Sequence, residues 1–537
     1  MKFFSLPLLA ISTLLAGCAT NTPSMMNGGT QHGNGMMQGG GMMGGNQAQT
    51  AGFLPGQSED VSSLPEVQPS SVLDVQDGQT ISLNPTLVRK NIGGKWLAMY
   101  GYNGQIPGPL IKVKQGTTIT VDVKNNIDLP TTIHWHGIRL ENSNDGVPDI
   151  TQKAIEPDGT FRYTVTFPDE GIYWYHPHVR EDIEQDLGLY GNLLVSPIDE
   201  AAYAPVNRTE VLALDDILLG DDGLPVPYGN TTASFALMGR FGNMLLVNGE
   251  PSYDLSVDRG AVVRLIFTNV ASTRTFRVTI PGAKMKLVGA DVGRYEREQF
   301  VESVTLGPAE RAIVDVLFDK SGTFTITHQT PQNSYALGTV TVGQSIATPS
   351  YAKEFSTLAT HEDVVKDIDA FRPFFDKTPD HTLILDMTMM GNRMMGDGMM
   401  GEIPKDGIEW EDTMGMMNTN MMGNMMQWKM IDQETGAANK DLVYTAKVGD
   451  KLKIRIINKK DSAHPMQHPI HFHGQRFLVL SDNGVKNTDF VWKDTTLVPA
   501  GHTVDILLDV TNPGDWMFHC HIAEHLSNGM MGLLKVE

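Results

Sequence analysis

The sequence predicts an all-β protein of three similar sandwich domains, on three observations: short alternating strands, an internal repeat, and a length beyond one core. At 537 residues the chain exceeds what a single hydrophobic core organises. Three segments, 116–125, 260–269 and 449–458, each carry a Gly, apolar residues at offsets three, five and seven, and an Asn at offset nine. The apolar sets are Ile119, Val121 and Val123; Val263, Leu265 and Phe267; Leu452, Ile454 and Ile456. Apolar side chains at period two turn one face of a strand into a core. Downstream in each copy a Gly opens a second strand, over 171–176, 322–327 and 514–519. Two elements in one order and three copies predict domains over 66–198, 199–350 and 375–537.

The ends and composition frame these domains. Residues 1–17 have Lys2, an apolar run through Leu15 and small residues before Cys18, the pattern of a secretory signal too short to span a membrane. Leu15-Ala16-Gly17-Cys18 resembles a bacterial lipobox, so lipidation at Cys18 and a membrane anchor are expected. Ala19 after the cysteine points to the outer membrane, facing the periplasm or the cell surface. No twin arginine is present, which predicts export unfolded and metal loading afterwards. Residues 18–65 are rich in Gly, Met, Asn, Gln and Ser, a disordered tether by composition. A second Met-rich stretch, 387–430, is expected as an insert in the third domain. The net charge of −21 excludes a nucleic-acid partner, which needs a basic face. A monomer is expected. With Cys18 lipidated, Cys520 has no disulfide partner and needs another use.

The histidines supply that use. They gather in His134-Trp135-His136, His176-Pro177-His178, His468 with His471 and His473, and His519-Cys520-His521 with His525 beyond. One His-x-His pair is weak evidence for metal; four at repeat-equivalent positions are strong. His176 and His178 stand at offsets five and seven from Gly171, and His519 and His521 at the same offsets from Gly514. The middle copy has Thr327 and Gln329 there. A metal cluster shared by the first and third domains accounts for that distribution.

Strand alternation then separates two sites. His519 and His521 face one way and Cys520 the other, so Cys520 and His468 go to one site and the eight paired histidines to another. Cys520, His468 and His525, with Met530 as a weak axial ligand and Met531 as the alternative, have the composition of a blue-copper electron-transfer centre. Zinc competes for His and Cys, but eight imidazoles exceed what a four-coordinate zinc uses.

With HWHG, WYHPH, HPIHFHG and HCHIAEHLSNGM in place, the chain resembles the multicopper oxidase family from about residue 70 to 537. The resemblance implies three cupredoxin-like Greek-key sandwiches and four copper ions that pass electrons from a reduced substrate to O2, giving water. It implies type 2 copper on His134 and His471. One type 3 copper would lie on His136, His176 and His521, the other on His178, His473 and His519, with type 1 copper on His468, Cys520, His525 and Met530. Asp145 matches an acidic residue that aids proton delivery; its alternative is a turn position in Asn144-Asp145-Gly146. Several bacterial relatives carry a glutamate directly after the residue matching His525, where Leu526 stands; Glu524 precedes that histidine.

The methionines bear on the substrate, because thioether sulfur favours Cu(I) over hard cations. Within the family the chain resembles periplasmic cuprous oxidases, which place a Met-rich insert over the type 1 site. Met466 matches their substrate methionine, and His464 stands where they carry an aspartate, so Met466, His464 and Asp461 are candidates for docking Cu(I). The expected activity is Cu(I) oxidation in copper tolerance. The alternatives are a laccase-like oxidase of phenols or Fe(II), and a non-enzymatic copper-storage or delivery protein.

Overall fold

The computed structural model describes residues 52–57, 60–389, 403–420 and 423–537. The signal, Cys18 with its lipidation, most of the tether and residues 390–402 of the Met-rich insert lie outside the described residues.

Each third of the described chain folds two sheets over its own apolar core. In the first, a five-stranded sheet runs in the order Val72–Asp74, Leu110–Lys114, Gly191–Ser196, Gly171–His176, His134–His136. Its core side chains mix with those of a three-stranded sheet built on Thr118–Lys124. The second combines a six-stranded sheet containing Ala261–Asn269 with a five-stranded sheet containing Gly322–Gln329. The third repeats that plan with Lys451–Asn458 in the six-stranded sheet and His468–Phe472 beside Gly514–Cys520 in the five-stranded one.

The repeat has a physical reason. Gly116, Gly260 and Gly449 have φ of 87°, 83° and 100°, a region that strains any side chain. Nothing lies within 4 Å of a Cβ built there, so backbone angle rather than space requires glycine. The Asn nine residues on is buried each time, and its side-chain amide donates to two carbonyls further along the chain. Asn125 reaches Leu129 and Ile155, Asn269 reaches Arg274 and Leu306, and Asn458 reaches Met466 and Val498. The third of these fixes the segment leading into His468.

Two expected boundaries need correction. The tether expected through residue 65 ends sooner: Phe53 and Tyr228 exchange backbone hydrogen bonds of 2.8 and 3.0 Å, and Leu64 is buried. Ladder bonds and an apolar anchor offset ordering entropy that the Gly/Met composition alone would not. The insert expected over 387–430 also narrows. Met387 and Met389 end the strand His381–Met389, and Met426 and Met430 lie in Met426–Asp432, which pairs with it from Met389↔Met426 to Leu383↔Asp432. Among the described residues no helix is long and apolar enough to cross a membrane.

Candidate metal centre

Two antiparallel pairs bring the histidines together. His134 lies opposite His176 in the first sandwich, and His471 lies opposite His519 in the third. Across the seam, the His136 and His471 rings stack at 3.8 Å and the His134 and His473 rings approach to 4.0 Å. The donor atoms fall into trios whose members all lie within 4.8 Å of one another: His136, His176, His521; His178, His473, His519; and His134, His136, His471.

Contacts on the far side of seven of the eight rings aim the inner nitrogen. Nδ1 of His134, His176, His471 and His519 donates to the carbonyls of Asp145, Pro177, Asp494 and Cys520 at 2.8–2.9 Å. His473 Nδ1 donates to Asp145 Oδ2 at 2.9 Å, and Glu181 Oε1 lies 2.8 Å from His178 Nδ1. His136 is reversed: its Nε2 lies 3.1 Å from both Asp494 Oδ1 and Thr495 Oγ1. What remains is Nε2 of His134, His176, His178, His471 and His521 and Nδ1 of His136, all buried without a protein partner. Burial, and then the neighbouring imidazoles, hold His136, His176, His471, His473 and His519 well below the ordinary histidine range. Burial opposes charge on His178 too, but Glu181 beside it draws that ring upward. Neutral imidazoles with inward lone pairs are metal ligands; left unbound they would be costly orphans.

On the other face of the same strand, Cys520 Sγ lies 3.5 Å from His468 Nδ1 and 3.8 Å from His525 Nδ1, with 3.3 Å between the two nitrogens. Donors around a trigonal metal with bonds of about 2.0–2.3 Å stand roughly 3.5–4 Å apart, so the spacing fits. The short helix Ala523–Ser527 returns His525 to the cysteine. Cys520 N–H donates to the Met530 carbonyl at 3.1 Å and His519 pairs with Met531, so Met530 shares the cysteine's apolar core. Burial pushes the Cys520 thiol well up, and a bound cation is what would hold it as thiolate. Trp428, fully buried, packs its ring 4.2 Å from His525 and 4.9 Å from His468.

The other expected residues divide. Asp145 is more than a turn residue: fully buried, it contacts His134 through its carbonyl and His473 through its carboxylate. Glu524 belongs to none of the groups of clustered donor atoms. Side chains one apart on a helix diverge by about 100°, and Glu524 accepts from Thr273 at 3.3 Å, with Asp182, Asp186 and Arg240 as its charged neighbours. Burial, and then those aspartates, push its carboxyl up to about 8. His464 is buried with Nε2 unpartnered and is lowered to about 4 by burial, whereas the Asp461 side chain is 77% exposed and 4.0 Å from Lys459. Met466 is fully buried in the core that holds Cys520.

Three residues with no sequence signal complete the centre. Arg311, from the middle sandwich, clamps Asp494 with bonds of 2.6 and 2.5 Å, both side chains fully buried. Asp494 and Thr495 in turn contact His136 and His471. The Gly of HWHG makes room for this: a Cβ on Gly137 would meet Asp494 Oδ2 at 2.3 Å. The sandwich without ligands thus anchors those who hold them.

Known proteins agree with this geometry. Residues 88–200, 227–352 and 411–537 each match a multicopper oxidase family. The chain is 26% identical over 450 residues to multicopper oxidase mco of Staphylococcus aureus, covering 82% of this chain and 85% of that protein. Copper resistance protein A of Escherichia coli is also 26% identical, over 571 residues, with 83% of this chain and 91% of that protein covered. A multi-copper oxidase structure from Pseudomonas thermotolerans superposes with a TM-score of 0.65 at 25% identity, covering 87% of this chain and all of that one. Matched on each of its three sandwiches, the chain belongs to the multicopper oxidase family, oxidoreductases that reduce O2 with one type 1, one type 2 and two type 3 copper ions.

Proposed function

We propose that this oxidase takes its electrons from Cu(I). Four Cu(I) ions each give one electron and become Cu(II); one O2 takes the four electrons with four protons and becomes two waters. Bound copper supplies the one-electron chemistry. In this reading His468, Cys520, His525 and Met530 hold type 1 copper, and His134 and His471 hold type 2. The trios His136, His176, His521 and His178, His473, His519 hold the type 3 pair. Asp145 fixes His134 and His473 and stands next to the cluster for proton delivery.

The observation that carries the substrate is the buried His464 with its unpartnered Nε2, its ring 6.3 Å from that of Trp428, which packs on His468 and His525. Met389, Met414, Met417 and Met425 are half-buried against the core containing Met466, Cys520 and Met530. His468 and His525 are 1% and 0% exposed, which leaves a bulky phenol no imidazole edge to touch. Soft thioethers and a neutral imidazole suit Cu(I). Copper tolerance, export and attachment through Cys18 belong to the same proposal; the name of the E. coli relative supports the first.

Met466→Leu tests it, since leucine keeps the volume and removes the sulfur. Turnover of Cu(I) should fall on the order of tenfold in kcat/KM, about 1.4 kcal/mol, while a small organic donor changes little. Equal loss on both donors, or a phenol or Fe(II) oxidised faster than Cu(I) by the intact protein, would favour the laccase-like or ferroxidase reading. Cu(I) uptake without oxygen consumption would favour storage.

A further inference from the structure

We propose that Glu181 is a positioning residue for His178, and that with Asp145 it makes the copper on His178, His473 and His519 the carboxylate-backed member of the type 3 pair. The inference rests on the ligand assignment proposed above.

The backbone is spent on placing Glu181. Arg180 has φ 45°, a left-handed conformation that costs a non-glycine residue on the order of 1 kcal/mol or more. It is held there by two bonds of 2.9 Å to Asp182 and by donation to the carbonyls of Gly229 at 2.7 Å and Asn230 at 3.2 Å. The helical turn that follows, Glu181–Glu184, returns the Glu181 carboxylate over the residue three earlier, Oε1 at 2.8 Å from His178 Nδ1. Both side chains are almost wholly buried, at 4% and 8% exposure, so this charge is weakly screened. They line one cavity of about 300 Å³, and Leu526 contributes an apolar part of its wall.

The two trios differ in what stands behind them. His178 has Glu181 and His473 has Asp145. In the other trio, His176 is backed by a neutral carbonyl. His136 is backed by Asp494, whose charge Arg311 already balances with two bonds. A carboxylate held against the outer nitrogen of an imidazole, as a hydrogen bond at His473 and as a 2.8 Å ion-pair contact at His178, orients the ring and strengthens its inner nitrogen as a donor. One metal of the pair is therefore held by stronger donors than the other.

The test uses the copper-loaded, full-length protein with Glu181→Gln, which removes charge but keeps an acceptor, and Glu181→Leu, which removes both. The reduced proteins are titrated with the Cu(I) chelator bicinchoninate, retained copper is counted, and the reoxidised proteins are examined by electron spin resonance. Glu181→Gln should release one of the four coppers at about 10–100-fold lower chelator, and Glu181→Leu should release it at lower chelator still. The blue absorption should stay intact, and a resonance signal should appear from the partner left uncoupled. That signal assigns the lost copper to the type 3 pair, and the blue band reports a folded third sandwich. Should Glu181→Gln keep all four coppers at the wild-type chelator concentration, the proposal is overturned whether or not Glu181→Leu folds. A wild-type protein without a spin-silent pair would instead overturn the ligand assignment beneath it.

Discussion

Cys520→Ser is expected to abolish the intense blue absorption and to lower turnover by ~10³-fold or more, about 4 kcal/mol or more of barrier, while type 3 copper is retained. The thiolate is what joins the two sites. Its sulfur points to His468 and His525 on one face of the strand, and its chain neighbours His519 and His521 point to the cluster on the other. A second route is hydrogen-bonded, from the Cys520 carbonyl to His519 Nδ1 at 2.8 Å. Serine preserves the backbone and this bond but offers copper a hard, largely protonated oxygen. Absorption, copper count and oxygen uptake measured together decide it. A blue, active Cys520→Ser protein would show that electrons enter the cluster elsewhere.

The second large effect is expected far from any ligand. Arg311→Leu should cost about 3–5 kcal/mol of stability, because it leaves Asp494 charged and unpaired in the interior. It should also loosen the copper cluster, since the Asp494 carbonyl accepts from His471 Nδ1 and its carboxylate contacts His136. Urea denaturation and copper stoichiometry give the two readouts. The double variant Arg311→Leu/Asp494→Leu removes both charges and should recover much of the stability without recovering the copper. A single variant with an unchanged urea midpoint would mean that the pair contributes nothing net.

Much of this was legible because strands and repeats obey short periods. The missing ligands at Thr327 and Gln329 were enough to point to the first and third sandwiches, whose histidines the structure brings to one seam. The Gly and Asn at the ends of the repeat marked it, although the reason for the Asn, a clasp on two carbonyls, needed coordinates. Arg311 and Asp494 could not be read: the pair joins positions 183 apart across two sandwiches, and no period links them. Glu181 stands in an acidic run whose composition suggests a solvated surface, yet the chain buries it. The expected tether failed at Phe53 and Leu64 for a related reason, because two apolar residues in a polar stretch found partners far along the chain.

The distribution of donors along the chain also sets what each site depends on. The imidazoles at the seam come from residues 134–178 and 471–521, with His471 standing 293 positions after His178, whereas every donor around Cys520 lies between 468 and 530. The blue centre therefore draws its donors from the third sandwich alone. The oxygen-reducing pocket exists only where the first and third sandwiches meet, so separating those two sandwiches should release its metals while leaving the donors of the blue centre together.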